Sequence, residues 1–509
     1  MKQWILALAL LMLLQLTGCA TNPVTGKNEL ALVSESQELA IGNKQYAPSR
    51  QMQGGDYILD PELAEYVQQV GQRLAAVSDR DLPYEFVVLN DSTPNAWALP
   101  GGKIAINRGL LVELNSEAEL AAVLGHEIVH AAARHGAKGM ERGMLLQGAI
   151  AVAGVAARDS DYSQLAVGAA AVGANLINQS YSRDAESESD YYGMQYMARA
   201  GYDPHAAVDL QETFVRLSEG RDKNWLAGLF ASHPPSEARV AANRKTAETL
   251  PQGGKLGREI YQRKTAYIRK VQPAYTAYDV GFKALKQKAY TQALQSADKA
   301  IDIEPKEALF YGLKGDVYKA QGKHRLALRN YDKAVELNPG YFKHYLQRGE
   351  ALKLVGDRRK AAQDLERSVE LLPTASAYYA LGLIASEAGD SRQAVAHFRS
   401  AAAGSSDISR AAGAALVKLD LANNPDAYLR ASLGAHRGRL AVAVENSTVA
   451  AVNDLVIVVR RSDGIERRYR QSRRLPAGQV LRFTTDIPLR DQRQLRHWQA
   501  RVVEARIAE

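Results

Sequence analysis

Three prolines, Pro305, Pro339 and Pro373, stand 34 residues apart, and each follows a glycine (Gly281, Gly315, Gly349) by 24 residues. Small residues recur in the same phase at Ala293, Ala327 and Ala361, with Tyr318 and Ala334 in slots that want an aromatic and a small residue. A fourth unit, one residue shorter, carries Gly382, Ala394, Phe398 and Ala401. Glycine-to-proline pairs held in register at this period mean one supersecondary unit repeated. A helix pair of this length buries its apolar face only against its neighbours, so the stretch must stack into a solenoid with a groove for a partner segment.

The period matches that of tetratricopeptide repeats, expected here over 273–405. The repeats account for about a quarter of a 509-residue chain that is too long for one core, so other domains flank them. Pro251 and Gly253-Gly254 predict a linker at 251–272, and a capping helix and linker are expected at 406–429. A chain cut after residue 270 is accordingly expected to keep everything before the repeats folded.

Beyond Pro425 the texture changes to strand-like runs at 440–444, 455–459, 480–483 and 498–503, separated by turn signals such as Asp463-Gly464. A small β-sandwich over 430–509 fits. This segment holds sixteen arginines, no lysine and eight acids, and so carries the whole formal net charge of +8. Guanidinium forks suit lipid phosphates or acidic partner segments, although a solvated basic sheet face is the commoner outcome.

At the other end, Lys2 precedes WILALALLMLLQL, an apolar run too short to span a bilayer and shaped like an export signal. It ends in Leu16-Thr17-Gly18-Cys19, which resembles a bacterial lipobox. That resemblance implies a signal peptide at 1–18, lipidation of Cys19 and a polar tether over 19–33. Ala20 after the cysteine points to the outer membrane, so the expected address is the periplasm, anchored to that membrane's inner face. Export disfavours nucleic acid as a partner. As the chain's one cysteine, Cys19 also excludes intramolecular disulfides and thiolate metal clusters, leaving histidine and carboxylate as metal ligands.

Between these ends, Asp60-Pro61 and Ser116 open helices, 84–89 reads as a strand, and 95–107 as a hairpin turning at Gly101-Gly102. The Ala, Gly and Val runs at 144–157 and 165–177 read as a buried helical hairpin or an interfacial membrane contact. The helix after Ser116 contains His126-Glu127-Ile128-Val129-His130. Histidines four apart share one helical face, so two imidazoles can converge on a zinc ion with Glu127 beside its water. Glu186 is the candidate third ligand. Asp190, one turn further on the same face, would orient a histidine from behind. Glu188 and His135 are expected to face away from the metal.

His126-Glu127-x-x-His130 with Glu186-x-x-x-Asp190, preceded by Asn95-Ala-Trp-Ala-Leu-Pro-Gly-Gly102 and followed by His233-Pro-Pro-Ser-Glu-Ala-Arg239, resembles the gluzincin peptidases of the HtpX and CAAX-prenyl-protease type. With the export signal and repeats added, the whole is similar to the periplasmic BepA-like proteins. The resemblance implies one Zn2+ held by His126, His130 and Glu186 with Glu127 as general base, and an edge strand at Asn95, Ala96 and Trp97 that binds substrate through its main chain. His233 has three roles open to it: oxyanion donor, fourth zinc ligand or structural histidine. Arg239 reads as a partner for a carboxylate. Tyr181, Tyr191 and Tyr192 are unranked further donors.

The expected fold is multidomain and mostly α: an α+β gluzincin zinc-peptidase domain at 34–250, the tetratricopeptide α-solenoid and the small C-terminal β-sandwich. The expected function is zinc-dependent endoproteolysis of misfolded or misassembled outer-membrane proteins. The repeats would recruit unfolded clients or the outer-membrane β-barrel assembly machinery. The alternative is a periplasmic chaperone or scaffold with a largely latent metal centre.

Overall fold

The computed structural model describes residues 19–143, 181–220 and 233–508. The export signal and the apolar runs at 144–177 lie outside the described residues. The chain divides into two compact units, 1–347 and 348–509.

The first unit opens with an antiparallel ribbon, β1 (Cys19–Thr21) and β2 (Asn28–Leu30). The expected tether is therefore partly folded. Val24 and Val33 are buried, Glu141 accepts from the backbone N–H groups of Leu32 and Val33, and Lys138 pairs with Glu29. Helix α1 (Glu35–Met52) starts with a capping box of Ser34 and Gln37. Helix α2 (Pro61–Ala75) has the Asp60 carboxylate accepting from Leu63 N–H and proline in its first turn, where a missing N–H costs nothing.

A three-stranded sheet follows: β3 (Glu85–Leu89), β4 (Ala96–Leu99) and β5 (Lys103–Asn107), in the order β3-β5-β4. Strands β4 and β5 form the predicted hairpin, closed by Gly101 and Gly102 at φ of +81° and +82°, a region open to glycine without strain. Strand β3 runs parallel to β5, which leaves β4 at the edge. After the short α3 (Arg108–Leu111), helix α4 (Glu117–Ala132) is capped by Ser116, whose hydroxyl accepts from Glu119 N–H, and is buried along almost its whole length.

Across α4 lies α5 (Arg183–Arg199), capped by Ser182. Two glycines set how closely these helices meet. A Cβ on Gly125 would stand 3.1 Å from the Gly193 carbonyl oxygen, and one on Gly193 would stand 3.1 Å from His126 N. Backbone against backbone is thus the contact that brings the histidine helix and the carboxylate helix together. Helices α6 (His205–Gly220) and α7 (Glu237–Thr249) pack beside them.

The predicted linker at 251–272 is instead helical from Arg258 onward and sends side chains into the core. Helix α8 (Arg258–Lys264) and the start of α9 (Ala266–Lys286) send Tyr261 and Ile268 into the main core at 0 % exposure, and Tyr261 O–H donates to the Leu111 carbonyl at 2.6 Å. Pro251 and the glycines mark only the turn that precedes these helices. The same core runs on through Tyr275 and Phe310 to Tyr341, so peptidase-region and repeat residues share one hydrophobic body.

The repeats of this unit include α10 (Tyr290–Ile303), α11 (Ala308–Ala320) and α12 (His324–Leu337). Pro305 and Pro339 fall two residues after helix ends, where no N–H is needed. The phased glycine has a packing cause: a Cβ on Gly315 would stand 2.4 Å from the Tyr331 ring. Ala293 and Ala327 are fully buried in the same seams.

In the second unit α13 (Arg358–Leu371), α14 (Ala375–Glu387) and α15 (Ser391–Ala401) continue the pattern, with Phe398 against Gly382, and α16 (Asp407–Asp420) packs Ala412 and Leu416 on α15. Six antiparallel strands then form two sheets. One holds β6 (Leu429–His436), β7 (Arg439–Asn446) and β10 (Val480–Pro488); the other holds β8 (Val452–Arg461), β9 (Glu466–Gln471) and β11 (Trp498–Ile507). Their inner faces share a core that includes Val442, Val444, Ile457 and Val502. Strand β9, ERRYRQ, carries no apolar alternation and escaped the sequence pattern. Among the described residues no helix is long and apolar enough to cross a membrane.

Candidate metal centre

Helix α4 presents His126 and His130 on the face turned to α5, and their Nε2 atoms stand 3.0 Å apart. Helix α5 brings Glu186 to them: Oε2 lies 3.5 Å from His126 Nε2 and Oε1 lies 3.4 Å from His130 Nε2. His233, in the stretch before α7, completes the group, its Nδ1 3.2 Å from His126 Nε2 and 3.0 Å from Glu186 Oε1. The four donors lie within 4.8 Å of one another. Ligands at zinc bond lengths of about 2.0 to 2.1 Å in a tetrahedron would stand about 3.3 Å apart, so the donor spacing fits a single small ion.

Burial pulls the His126 imidazole down, but the carboxylates of Glu186 and Asp190 outweigh it and raise the group to about 10. Burial alone would raise Glu186, yet the charges of His233 and His126 hold it far below the ordinary carboxylate range. At His130 burial dominates and the imidazole is pushed well down.

Behind His126, Asp190 Oδ1 accepts from Nδ1 at 2.9 Å. Arg239 grips that carboxylate with Nε to Oδ2 at 2.8 Å and Nη2 to Oδ1 at 2.7 Å, donates to the Pro234 carbonyl at 3.1 Å, and sets Nη1 2.9 Å from Glu186 Oε2. The expected partnership of Arg239 with a carboxylate thus involves two of them. Its carbonyl contact also fixes the segment that carries His233.

Glu127 is 2 % exposed and burial raises its carboxyl above the ordinary glutamate value. Its Oε2 has no hydrogen-bond partner, and neither does His233 Nε2, which lies 3.5 Å from Glu127 Oε1. Next to them opens a recess of about 40 Å³ with an apolar wall that includes Ala96, Met194, Leu210 and Phe214. Ala96 thus borders the site. Trp97 turns the other way, edge-on to Tyr46 and donating from Nε1 to Gln53 at 3.1 Å. Asn95 is buried and its carbonyl accepts from Asn107 N–H, with its side-chain oxygen unpartnered.

His135 and Glu188, expected to face away from the metal, do stand outside the donor group, yet they reach it from behind. Helix α4 ends at Ala132, Arg134 takes a left-handed φ of +64°, and the chain turns back so that His135 lies under His130, their Nδ1 atoms 2.9 Å apart. Glu188 Oε1 accepts from the far side of His135, at 3.1 Å from Nε2. Extrapolating α4 as a straight helix hid this, because the left-handed φ falls on Arg134 itself and not on the nearby Gly136. Tyr181 stacks on His130 with ring centres 3.9 Å apart, whereas Tyr191 is exposed.

Two imidazoles on one helix, a buried carboxylate from a second and a buried glutamate with one oxygen free beside them define a metal-dependent hydrolase centre of the HExxH kind. The model of peptidase family M48 matches residues 61–247, and that of tetratricopeptide repeats matches 308–341 and 375–403. The chain is 40% identical over 190 residues to mitochondrial metalloendopeptidase OMA1 of Schizosaccharomyces pombe, covering 37% of this chain and 53% of that one. It is 31% identical over 220 residues to metalloprotease YcaL of Escherichia coli K12, covering 41% of this chain and 80% of the relative. Against the beta-barrel assembly-enhancing protease of the same organism, identity is 24% over 332 residues, covering 60% of this chain and 67% of the relative. The chain spans about half the length of the first curated relatives it matches. It belongs to peptidase family M48.

Proposed function

We propose that the chain is a zinc-dependent endopeptidase of the bacterial cell envelope, acting on unfolded or misassembled envelope proteins. The observation that carries this is the convergence of His126, His130 and Glu186 at tetrahedral spacing with Glu127 beside them. Zinc, when bound there, supplies the Lewis acidity that polarises a peptide carbonyl and acidifies water. The rest falls to the chain's own residues. Glu127, buried and with one oxygen free, takes a proton from water and passes it to the leaving nitrogen as the C–N bond breaks. Strand β4, paired on one side by β5, offers an edge on which an extended peptide can lie, and main-chain pairing reads little sequence.

The name of the relative that enhances β-barrel assembly, together with the repeats, supports recruitment of clients or of the outer-membrane assembly machinery as the role of the solenoid. The lipobox supports anchorage through Cys19 to the inner face of the outer membrane. The placement of His233 Nδ1 among the donors favours a second reading, a chaperone or scaffold whose centre rests latent, because a structural zinc site is a closed four-ligand one. Glu127→Gln separates the two. It should keep the fold and the metal and lose at least about 100-fold in cleavage of casein or an unfolded porin, the size of a lost general base. Cleavage unchanged in that variant, or absent from the unaltered protein with zinc bound, rejects the enzymatic reading.

A further inference from the structure

The two histidines of the centre are held from behind by different devices. His126 leans directly on a carboxylate, Asp190. His130 does not. Its Nδ1 meets Nδ1 of a second imidazole, His135, and only beyond that ring comes a carboxylate, Glu188. We propose that His135 and Glu188 are positioning residues for the metal centre, a relay that fixes the tautomer and the ring plane of His130. The inference rests on the reading of His126, His130 and Glu186 as metal ligands.

The hydrogen-bond logic permits one consistent assignment. His130 turns Nε2 towards the other donors, 3.0 Å from His126 Nε2 and 3.4 Å from Glu186 Oε1, so that nitrogen must keep its lone pair to ligate a metal. Its proton then sits on Nδ1 and is donated to His135 Nδ1 at 2.9 Å. His135 must accept on Nδ1 and therefore carries its own proton on Nε2, which it donates to Glu188 Oε1 at 3.1 Å. The chain ends on an acceptor-only group, and reversing it would put a proton on the ligating nitrogen of His130. Ser189 Oγ, 3.4 Å from His135 Nδ1, lies on the same side.

Packing holds the relay in place. His130 is 1 % and His135 3 % exposed, Tyr181 stacks on the His130 ring, and the left-handed turn at Arg134 is what delivers His135 beneath it. That turn is anchored in turn, since Arg134 bonds Glu38 and the Val33 carbonyl. Groups that orient a ligating histidine through its second nitrogen raise its basicity and its preorganisation.

The test is zinc affinity of the full chain, read by competition with a chromogenic chelator, alongside thermal unfolding in excess chelator. His135→Ala, which leaves His130 Nδ1–H without an acceptor, should weaken zinc binding by about 10- to 100-fold, and Glu188→Ala by about tenfold. His135→Asn places an amide oxygen near the lost Nδ1 and should recover affinity to within about threefold of the unaltered chain, which a purely space-filling role would not predict. Glu188 is partly exposed, so its variant decides the matter if His135→Ala fails to fold. Affinity unchanged in Glu188→Ala, or equal losses in His135→Ala and His135→Asn, overturns the relay. An unaltered chain that binds no zinc sinks the metal centre itself, whereas one that binds zinc, shows these losses and cleaves nothing leaves the relay standing without the peptidase.

Discussion

Asp190 stands directly behind His126, its Oδ1 2.9 Å from Nδ1, and the fork of Arg239 clamps both oxygens of that carboxylate. The imidazole is thereby held with Nε2 facing Glu186 and His130. Asp190→Asn keeps the shape but loses the charge and one arm of the clamp. It should weaken zinc binding about tenfold with little change in KM for an unfolded substrate. Asp190→Ala leaves the Arg239 guanidinium facing one carboxylate where it had two, and should cost about 3 kcal/mol of stability, measured by urea unfolding in chelator.

His233 separates an open centre from a closed one. Its Nδ1 lies where a fourth ligand would, and its Nε2 faces Glu127 without a hydrogen bond. His233→Ala should bind zinc more weakly than the unaltered chain but cleave casein faster, because three protein ligands leave a position free for chemistry. The opposite result, slower cleavage with unaltered zinc affinity, assigns His233 to the oxyanion instead.

The clustering of these side chains was legible where it is local: four-residue spacing puts His126 and His130 on one face, and the same spacing puts Asp190 one turn beyond Glu186 on its helix. The solenoid was legible because each repeat needs a small residue where a ring from the next helix packs, as Tyr331 does on Gly315. What stayed hidden depends on contacts distant in sequence or on a turn without a turn residue. His135 required the left-handed Arg134, whose conformation is held by Glu38, 96 residues away. The docking of α8 and α9 required Tyr261 to find Leu111 and Tyr275 to find Tyr57, and Pro251-Gln-Gly-Gly reads the same whether a linker or a packed helix follows.

Glu117, at the start of the histidine helix, carries a pH dependence that can be tested apart from the metal. It is 1 % exposed and accepts from Tyr66, Tyr202, Arg73 and Lys255 at 2.8 to 2.9 Å. Burial would raise its carboxyl, but bonds from Lys255, Tyr202 and Tyr66 hold it below the usual glutamate value. A depressed folded-state value means the contribution is present above the unfolded value of about 4.3 and fades as pH falls through the folded one. Glu117→Gln should therefore cost about 2 kcal/mol at pH 7, and the gap to the unaltered chain should shrink steadily below about pH 4.5. Urea midpoints across pH 3 to 7 check this, and a gap independent of pH would assign the loss to packing.

The repeats of the first unit are structural partners of the peptidase region rather than an appended array. Arg108, buried beside the sheet, lays its guanidinium 3.3 Å from the centre of the Tyr275 ring on α9 and donates to Asn90. Asn90 and the Tyr275 hydroxyl both donate to Glu307, whose other oxygen accepts from Leu309 N–H at the start of α11. Around this polar hub Tyr57, Val271, Ala274, Phe310 and Tyr341 form one side of the main core. A chain ending at residue 270 breaks α9 after its first turn and removes all but Tyr57 of that apolar group, leaving Arg108 facing solvent. Each large apolar side chain lost or exposed costs about 2 to 3 kcal/mol, against a total stability of about 5 to 15 kcal/mol. The expectation that the peptidase region survives such a cut is therefore replaced by its converse. A chain ending at 270 should aggregate or be digested by trypsin at sites that a chain ending at 347 protects, and its far-UV signal should lose the cooperative thermal transition. A cooperative transition at the same temperature in both chains would show that the shared core is dispensable.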